Sequence, residues 1–232
     1  MSTALQPESV RPGEVFVGRE GKPLCIDLFC GLGGWADGFL AEGYDVIGFD
    51  IERHDYGTGG YPGQLVLQDV LTLDGRQFRN AAVIVASPPC TDYAKWGMRM
   101  FHPNPPQPDK RLWASALRIA AEARLPLVIE NVRGAQYFWG RACWKQGPYY
   151  LWGDIPALFP DIPLKRKNVV DDVKNGVRRG LKTSADLLSH SERRRQCTAE
   201  AAKIPFPLAQ HIARVFKPPC RQVQLEAQPE AR

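Results

Sequence analysis

A cysteine does covalent chemistry best when its backbone is held still at the edge of a sheet, and Cys90 ends the stretch "VIVASPPC" in that way. The run Val83-Ile84-Val85-Ala86 is small, apolar and β-branched, which reads as a buried strand. Pro88 and Pro89 then stop the ladder and stiffen the backbone leading into Cys90. The thiol is thereby expected just beyond a strand end, where ligand crevices of open α/β sheets lie. A small buried thiol in a turn is the plainer alternative, because free cysteine packs like a hydrophobe. The second reactive candidate is Glu130, which with Asn131 ends the strand-like "LPLVIENV". A carboxyl there would face the same crevice, and desolvation would raise its pKa so that it could donate a proton to a ring nitrogen. A glutamate that merely caps a helix is the plainer reading of it.

A third pattern, "DLFCGLGG", is followed by Asp50 nineteen residues after Gly31. Glycines after a strand let the backbone approach a nucleotide, and an acidic residue ending the next strand can accept from ribose hydroxyls. The spacing is not GxGxxG, which disfavours a dinucleotide pyrophosphate. S-adenosylmethionine has no pyrophosphate but does present a ribose and an adenine. A turn that simply closes a βα unit is the alternative.

The elements that must position these groups alternate along the chain. "PLCIDLF", "DVIGFDIE", "GQLVLQDV", "AAVIVAS" and "LPLVIENV" read as strands, while "GWADGFLAEGY" and "DKRLWASALRIAAEAR" read as helices. This order predicts parallel βαβ units in an open, doubly wound α/β sheet. "PFPLAQHIARVF" places Leu208, Ile212 and Val215 on one face of a final helix.

With 232 residues, 44% of them hydrophobic and 24% charged, the chain has the composition of a globular protein with one sizeable core. Its apolar runs are too short to span a bilayer, and its first residues do not form a secretory signal. The six cysteines (25, 30, 90, 143, 197 and 220) show no CxxC pairs. They read as reduced thiols of a cytoplasmic protein, with no metal site. The net charge is +5, and residues 161–200 concentrate ten Lys/Arg against six Asp/Glu. Such clustering marks a polyanion binder, with a solvated basic face as the alternative. The expected organisation is a loose segment 1–20, a catalytic α/β domain 21–160, a small basic region 161–200, a helix returning to the domain over 201–220, and a tail 221–232.

Together "DLFCGLGG", "SPPC" and "ENV" resemble the cofactor loop, nucleophile turn and base-binding strand of the cytosine-C5 DNA methyltransferases, in that family's order. "DKRLW" and "IPFPLAQHIA" resemble two weaker signatures, so the likeness covers roughly residues 22–153 and 201–216. The resemblance implies a Rossmann-like, S-adenosylmethionine-dependent methyltransferase acting on DNA, here as a monomer. It implies that Asp27, Phe29, Gly31 and Gly33 line the cofactor, with Asp50 on its ribose and Asp69 at its adenine. Cys90 would attack carbon 6 of a flipped cytosine while Glu130 engages ring nitrogen 3, with Pro89, Asn131 and Arg133 beside the base. Arg193, Arg194 and Arg195 would meet phosphates.

Four departures from the family shape further expectations. "TDYAKWG" follows the cysteine where the family commonly has glutamine and an aromatic-serine pair. In "WKQGPYYLWG", Gln146 is present, but Pro148 and Tyr150 stand where arginines are expected, leaving Arg133 or Arg141 as substitutes. The recognition region is only about fifty residues long, which points to short or loose sequence specificity, as suits a phage enzyme. Ala202-Lys203 replaces a Gly-Asn pair, and a lysine there would favour a carboxylated donor such as carboxy-S-adenosylmethionine, giving carboxymethyl transfer. Other readings are an RNA cytosine methyltransferase, a thymidylate-synthase-like enzyme on free nucleotides, and a non-catalytic DNA-binding relative.

Overall fold

The computed structural model describes residues 18–55, 59–156, 161–162, 200 and 202–218. The basic stretch, with Arg193, Arg194 and Arg195, and both chain ends lie outside the described residues.

Seven strands form one sheet in the order β3-β2-β1-β4-β5-β7-β6. They are β1 (Leu24–Leu28), β2 (Asp45–Asp50), β3 (Gln64–Leu67), β4 (Val83–Ala86), β5 (Leu127–Asn131), β6 (Trp144–Gln146) and β7 (Tyr149–Gly153). The first five are mutually parallel, as the alternation predicts. The sheet as a whole is mixed, because β7 runs antiparallel to β5 and β6 antiparallel to β7. "WKQGPYYLWG" folds into this hairpin because Gly147, at φ 57°, opens a two-residue turn with Pro148.

Both faces of the sheet are covered, which explains why β1 and β4 are apolar at every position but Asp27. Leu24, Ile26 and Leu28 of β1, with Ile84 and Ala86 of β4, pack on one side against Trp113, Ala116 and Ile119 of α3 (Lys110–Ala123). Cys25, Val83 and Val85 pack on the other against Trp35 and Phe39 of α1 (Gly34–Ala41) and Leu208 and Ile212 of α5 (Phe206–Val215). The terminal helix thus packs on the same face of the sheet as α1. It lies so close to α1 that a Cβ on Gly38 would stand 2.4 Å from the backbone nitrogen of Gln210.

Two helices not anticipated from the sequence complete the fold. These are α2 (Thr91–Gly97), which begins directly after Cys90, and the single turn α4 (Gln136–Trp139). Tyr93 of α2 is buried edge-on against Trp113 and Phe138, with ring centroids 6.0 and 5.7 Å away, and its hydroxyl accepts from the Trp139 indole at 2.9 Å. Trp113 stacks on Trp139 at 5.0 Å. The stretch "TDYAKWG" thus anchors the helix behind Cys90 in an aromatic cluster.

Candidate active site

The strand order reverses direction between β1 and β4, and the loops leaving their carboxyl ends diverge to open a crevice. A cleft of about 560 Å³ lies there, a size suited to a nucleoside-like ligand. Among the expected site residues, Phe29, Gly31, Asp50 and Asp69 line one part of it. Pro89, Cys90 and Lys203 also contribute to its wall.

The glycine loop is held open by strained backbone. Phe29 adopts a left-handed conformation at φ 59°, and Gly31 and Gly33 follow at 49° and 72°. Such a conformation in a non-glycine residue costs energy and clusters at functional loops. A Cβ at Gly31 would meet nothing within 4 Å, leaving room over the loop for a ligand. A Cβ at Gly33 would instead strike Pro62, so Gly33 serves close packing rather than the cleft wall.

The acidic residues divide their duties differently from expectation. Asp50 accepts from Gly31 N–H at 2.9 Å and from Ile51 N–H at 2.8 Å, with His54 Nε2 3.6 Å away. Its carboxylate therefore ties the glycine loop to the end of β2 as well as facing the cleft. Asp69 accepts from Leu71 N–H at 2.9 Å, capping a short 3-10 turn. Asp27 is buried beneath the loop and off the cleft wall; it accepts from the Tyr61 hydroxyl at 3.0 Å, while Oδ1 has no partner. Burial first, and the nearby Asp50 charge after it, push the Asp27 carboxyl well above its ordinary value. Ile51, Glu52 and His54 also line the cleft, and no motif in the sequence singles them out. Ile51 is an apolar side chain left 72% exposed there, a signal visible only once its surroundings are known.

Cys90 sits half-buried at the start of α2, with burial and the adjacent Glu130 both raising its thiol pKa. Glu130 is raised to about 8 by desolvation, against a hydrogen bond from Ser87 that pulls the other way. It is thus largely a neutral acid near pH 7. Asn131, fully buried, donates to the Pro88 carbonyl at 2.9 Å and so braces the turn that carries Cys90 rather than lining the cleft. Ser87 belongs to the "SPPC" motif but reads from sequence only as part of a turn; its side chain lines the cleft and accepts from Trp35 Nε1 at 2.9 Å.

Three residues weighed for the base or donor end have the following places. Arg133 is exposed and off the cleft wall. Gln146 uses its amide on the chain itself, donating to Asp161 and to the Ile162 carbonyl, each at 2.6 Å. The Lys203 ammonium does reach the cleft, but it pairs with Asp37 of α1 at 2.7 Å. Among the described residues there is no His/Cys/Asp/Glu group suited to a metal, and no helix long and apolar enough to cross a membrane.

Comparison with solved structures finds partial likenesses. A DNA modification methyltransferase encoded within an E. coli prophage is 25% identical, over 49% of this chain and 33% of that one, with a TM-score of 0.38. A Spodoptera frugiperda DNMT2 variant is 17% identical, over 50% of this chain and 37% of that one, at 0.35. The S. pombe Dnmt2 methyltransferase is also 17% identical, over 50% and 35%, at 0.35. The matched region therefore spans about a third of the length of these chains. No curated protein matches the sequence. The sequence profile described as C-5 cytosine-specific DNA methylase matches residues 24–146, more than half of the chain, and includes the glycine loop, Cys90 and Glu130. The chain belongs to the C-5 cytosine-specific DNA methylase family.

Proposed function

We propose that the protein is an S-adenosylmethionine-dependent DNA cytosine C5-methyltransferase that works through a covalent bond between Cys90 and carbon 6 of cytosine. The observation that carries this is the pairing of Cys90 with Glu130. The two leave the carboxyl ends of adjacent parallel strands, and Cys90 sits where the charge of Glu130 is felt. Carbon 5 of cytosine is a poor nucleophile until a thiolate adds at carbon 6. Glu130, protonated near neutral pH, supports that addition by donating to ring nitrogen 3. The later steps return Cys90 as a leaving group once the carbon 5 proton is lost.

The residues around the cleft fit the donor. Gly31 leaves space above the loop, and the apolar side chains of Phe29, Ile51 and Leu112 offer surface to an adenine. Bound there, S-adenosylmethionine supplies an electrophilic methyl group on a sulfonium. Lys203 is already neutralised by Asp37, which favours the ordinary donor over a carboxylated one.

Duplex DNA is the substrate we assign. The base must leave the stack to reach a thiol in a crevice. The turn that follows α2 presents Met100 and Phe101 to solvent, with Arg99 5.1 Å from the Trp96 ring centre. Arg193, Arg194 and Arg195 would add phosphate contacts, so neutralising them should flatten the salt dependence of DNA affinity. The deciding experiment is nucleoside mass spectrometry of DNA and tRNA from cells expressing the protein. Gain of 5-methylcytosine in DNA supports the proposal. Its appearance in tRNA alone, or in neither, overturns it.

A further inference from the structure

The Ser87 hydroxyl sits between the Trp35 indole and the end of β5. The Trp35 indole can only donate, and it donates to Ser87 Oγ at 2.9 Å. The single hydroxyl proton of Ser87 must then point elsewhere. Ala86 pairs with Ile129 across the parallel strands β4 and β5, so Ser87 and Glu130 are the next residues in register. Side chains at matching positions of parallel strands share a face of the sheet, which sets the Ser87 hydroxyl beside the Glu130 carboxyl and accounts for the pull of Ser87 against its raised pKa.

We propose that Ser87 is a positioning residue: driven by Trp35, its hydroxyl donates to one oxygen of Glu130 and thereby confines the acid's proton to the other. This rests on the reading that Glu130 serves cytosine nitrogen 3, and deepens it. An oxygen that already accepts a hydrogen bond along its lone pair is the poorer site for a proton. A carboxylic acid free to place its proton on either oxygen would present the base with an acceptor part of the time. Ser87 removes that ambiguity without touching the substrate. Trp35 is fully enclosed in the core beside Phe39 and Val85, so the donor end of the relay is rigid.

Among the described residues the groups facing Glu130 are few. Cys90 approaches from the β4 turn, Tyr149 from β7 on the opposite side, and Ser87 supplies the hydroxyl. Tyr149 stays neutral across the range concerned, because burial and Glu130 both raise its pKa. Cys90 is the one neighbour whose titration overlaps, so the test removes it.

In the Cys90→Ala protein, labelled with 13C at glutamate carboxyls, Glu130 is assigned by its loss in Glu130→Gln and titrated by NMR. Ser87→Ala should move its midpoint upward by about one pH unit, since a donor to the ionised form is lost. Ser87→Thr, which keeps the hydroxyl, should titrate as the parent does. The Trp35 indole resonance should follow the same titration in the parent and lose that step in Ser87→Ala. A midpoint unmoved by Ser87→Ala, or a threonine variant that behaves like alanine, overturns the relay. Thermal melts identify any variant that fails to fold, and Trp35→Phe, which should uncouple Ser87's direction with a smaller shift, then replaces it. The underlying reading fails separately: Glu130→Gln with intact Cys90 would transfer methyl groups as fast as wild type, whatever the titrations show.

Discussion

The side-chain amide of Asn131 donates to the carbonyl of Pro88 at 2.9 Å, joining the end of β5 to the turn that carries Cys90. The same side chain accepts from Val132 N–H at 2.9 Å, so both of its ends are committed inside the core. Asn131→Ala leaves a buried carbonyl unpaired and should cost about 1–3 kcal/mol of stability. It should also lower kcat more than cofactor affinity, because it loosens the Cys90 turn and not the glycine loop. Chemical denaturation and steady-state rates on the same preparation check both parts.

Cys90→Ala should abolish methyl transfer while cofactor and DNA binding persist, since only the covalent step needs the thiol. DNA containing 5-fluorocytosine should trap wild type as a complex that survives denaturation, because fluorine cannot leave as the carbon 5 proton does. A trap formed equally by the alanine variant would assign the bond to another residue.

The pH dependence comes from two raised groups. In the proposed mechanism the working pair carries one proton, on Glu130, with Cys90 ionised. Glu130 titrates near 8 and the Cys90 thiol lies above its ordinary value, so at pH 6 both are protonated and the thiol is inert. The rate should climb as the pair loses its first proton and fall when the second leaves, with both apparent values belonging to the pair. Initial rates from pH 6 to 10 should peak above pH 8. A steady decline from pH 6 upward would be incompatible with thiolate attack assisted by an acidic Glu130.

Glu130 also makes a stability statement. Its folded pKa is raised above the unfolded one, so its contribution is fully present below about 4.5 and is lost as pH rises through about 8. Glu130→Gln removes that loss. Relative to wild type, the variant should gain on the order of a few kcal/mol between pH 4 and pH 9. Melting curves at the two pH values read the difference directly.

Lys203 and Asp37 form an ion pair 2.7 Å long at the cleft, each about a third exposed. Lys203→Asn should leave the product as 5-methylcytosine and change stability by less than about 1 kcal/mol, as partly exposed pairs do. Asp37→Asn is the sharper variant, because it frees the ammonium. If any variant yields 5-carboxymethylcytosine when both donors are supplied, it should be that one, and mass spectrometry of the product decides.

Much of the fold is written locally. Two-sided apolar runs such as "VIVA" and "LVIE" specify strands buried on both faces, and the prolines after Ser87 specify where β4 must stop. Strand ends in an α/β sheet share one edge, which is why the sequence leads to the expectation that Cys90 and Glu130 face one crevice; the structure sets Cys90 where the Glu130 charge is felt, with Cys90 and not Glu130 on the cleft wall. The antiparallel β6–β7 hairpin is less so, since its strands are short and its pairing with β5 depends on contacts far along the chain.

Which donor meets which acceptor is decided only in three dimensions. Acidic side chains at the ends of β1 and β2 look alike in the sequence. The fold buries Asp27 against Tyr61, turns Asp50 to the Gly31 amide, and leaves Ile51 and Glu52 at the cleft. The same holds for Lys203, whose charge reads as free until α1 brings Asp37 beside it. Trp35 and Ser87 are 52 residues apart and meet because α1 packs across the strand ends. Hydrophobic periodicity fixes where a backbone runs and which face it buries, because each residue's burial depends on its immediate neighbours in sequence. The pairing of polar groups depends on elements converging from distant parts of the chain, and no local pattern carries that information.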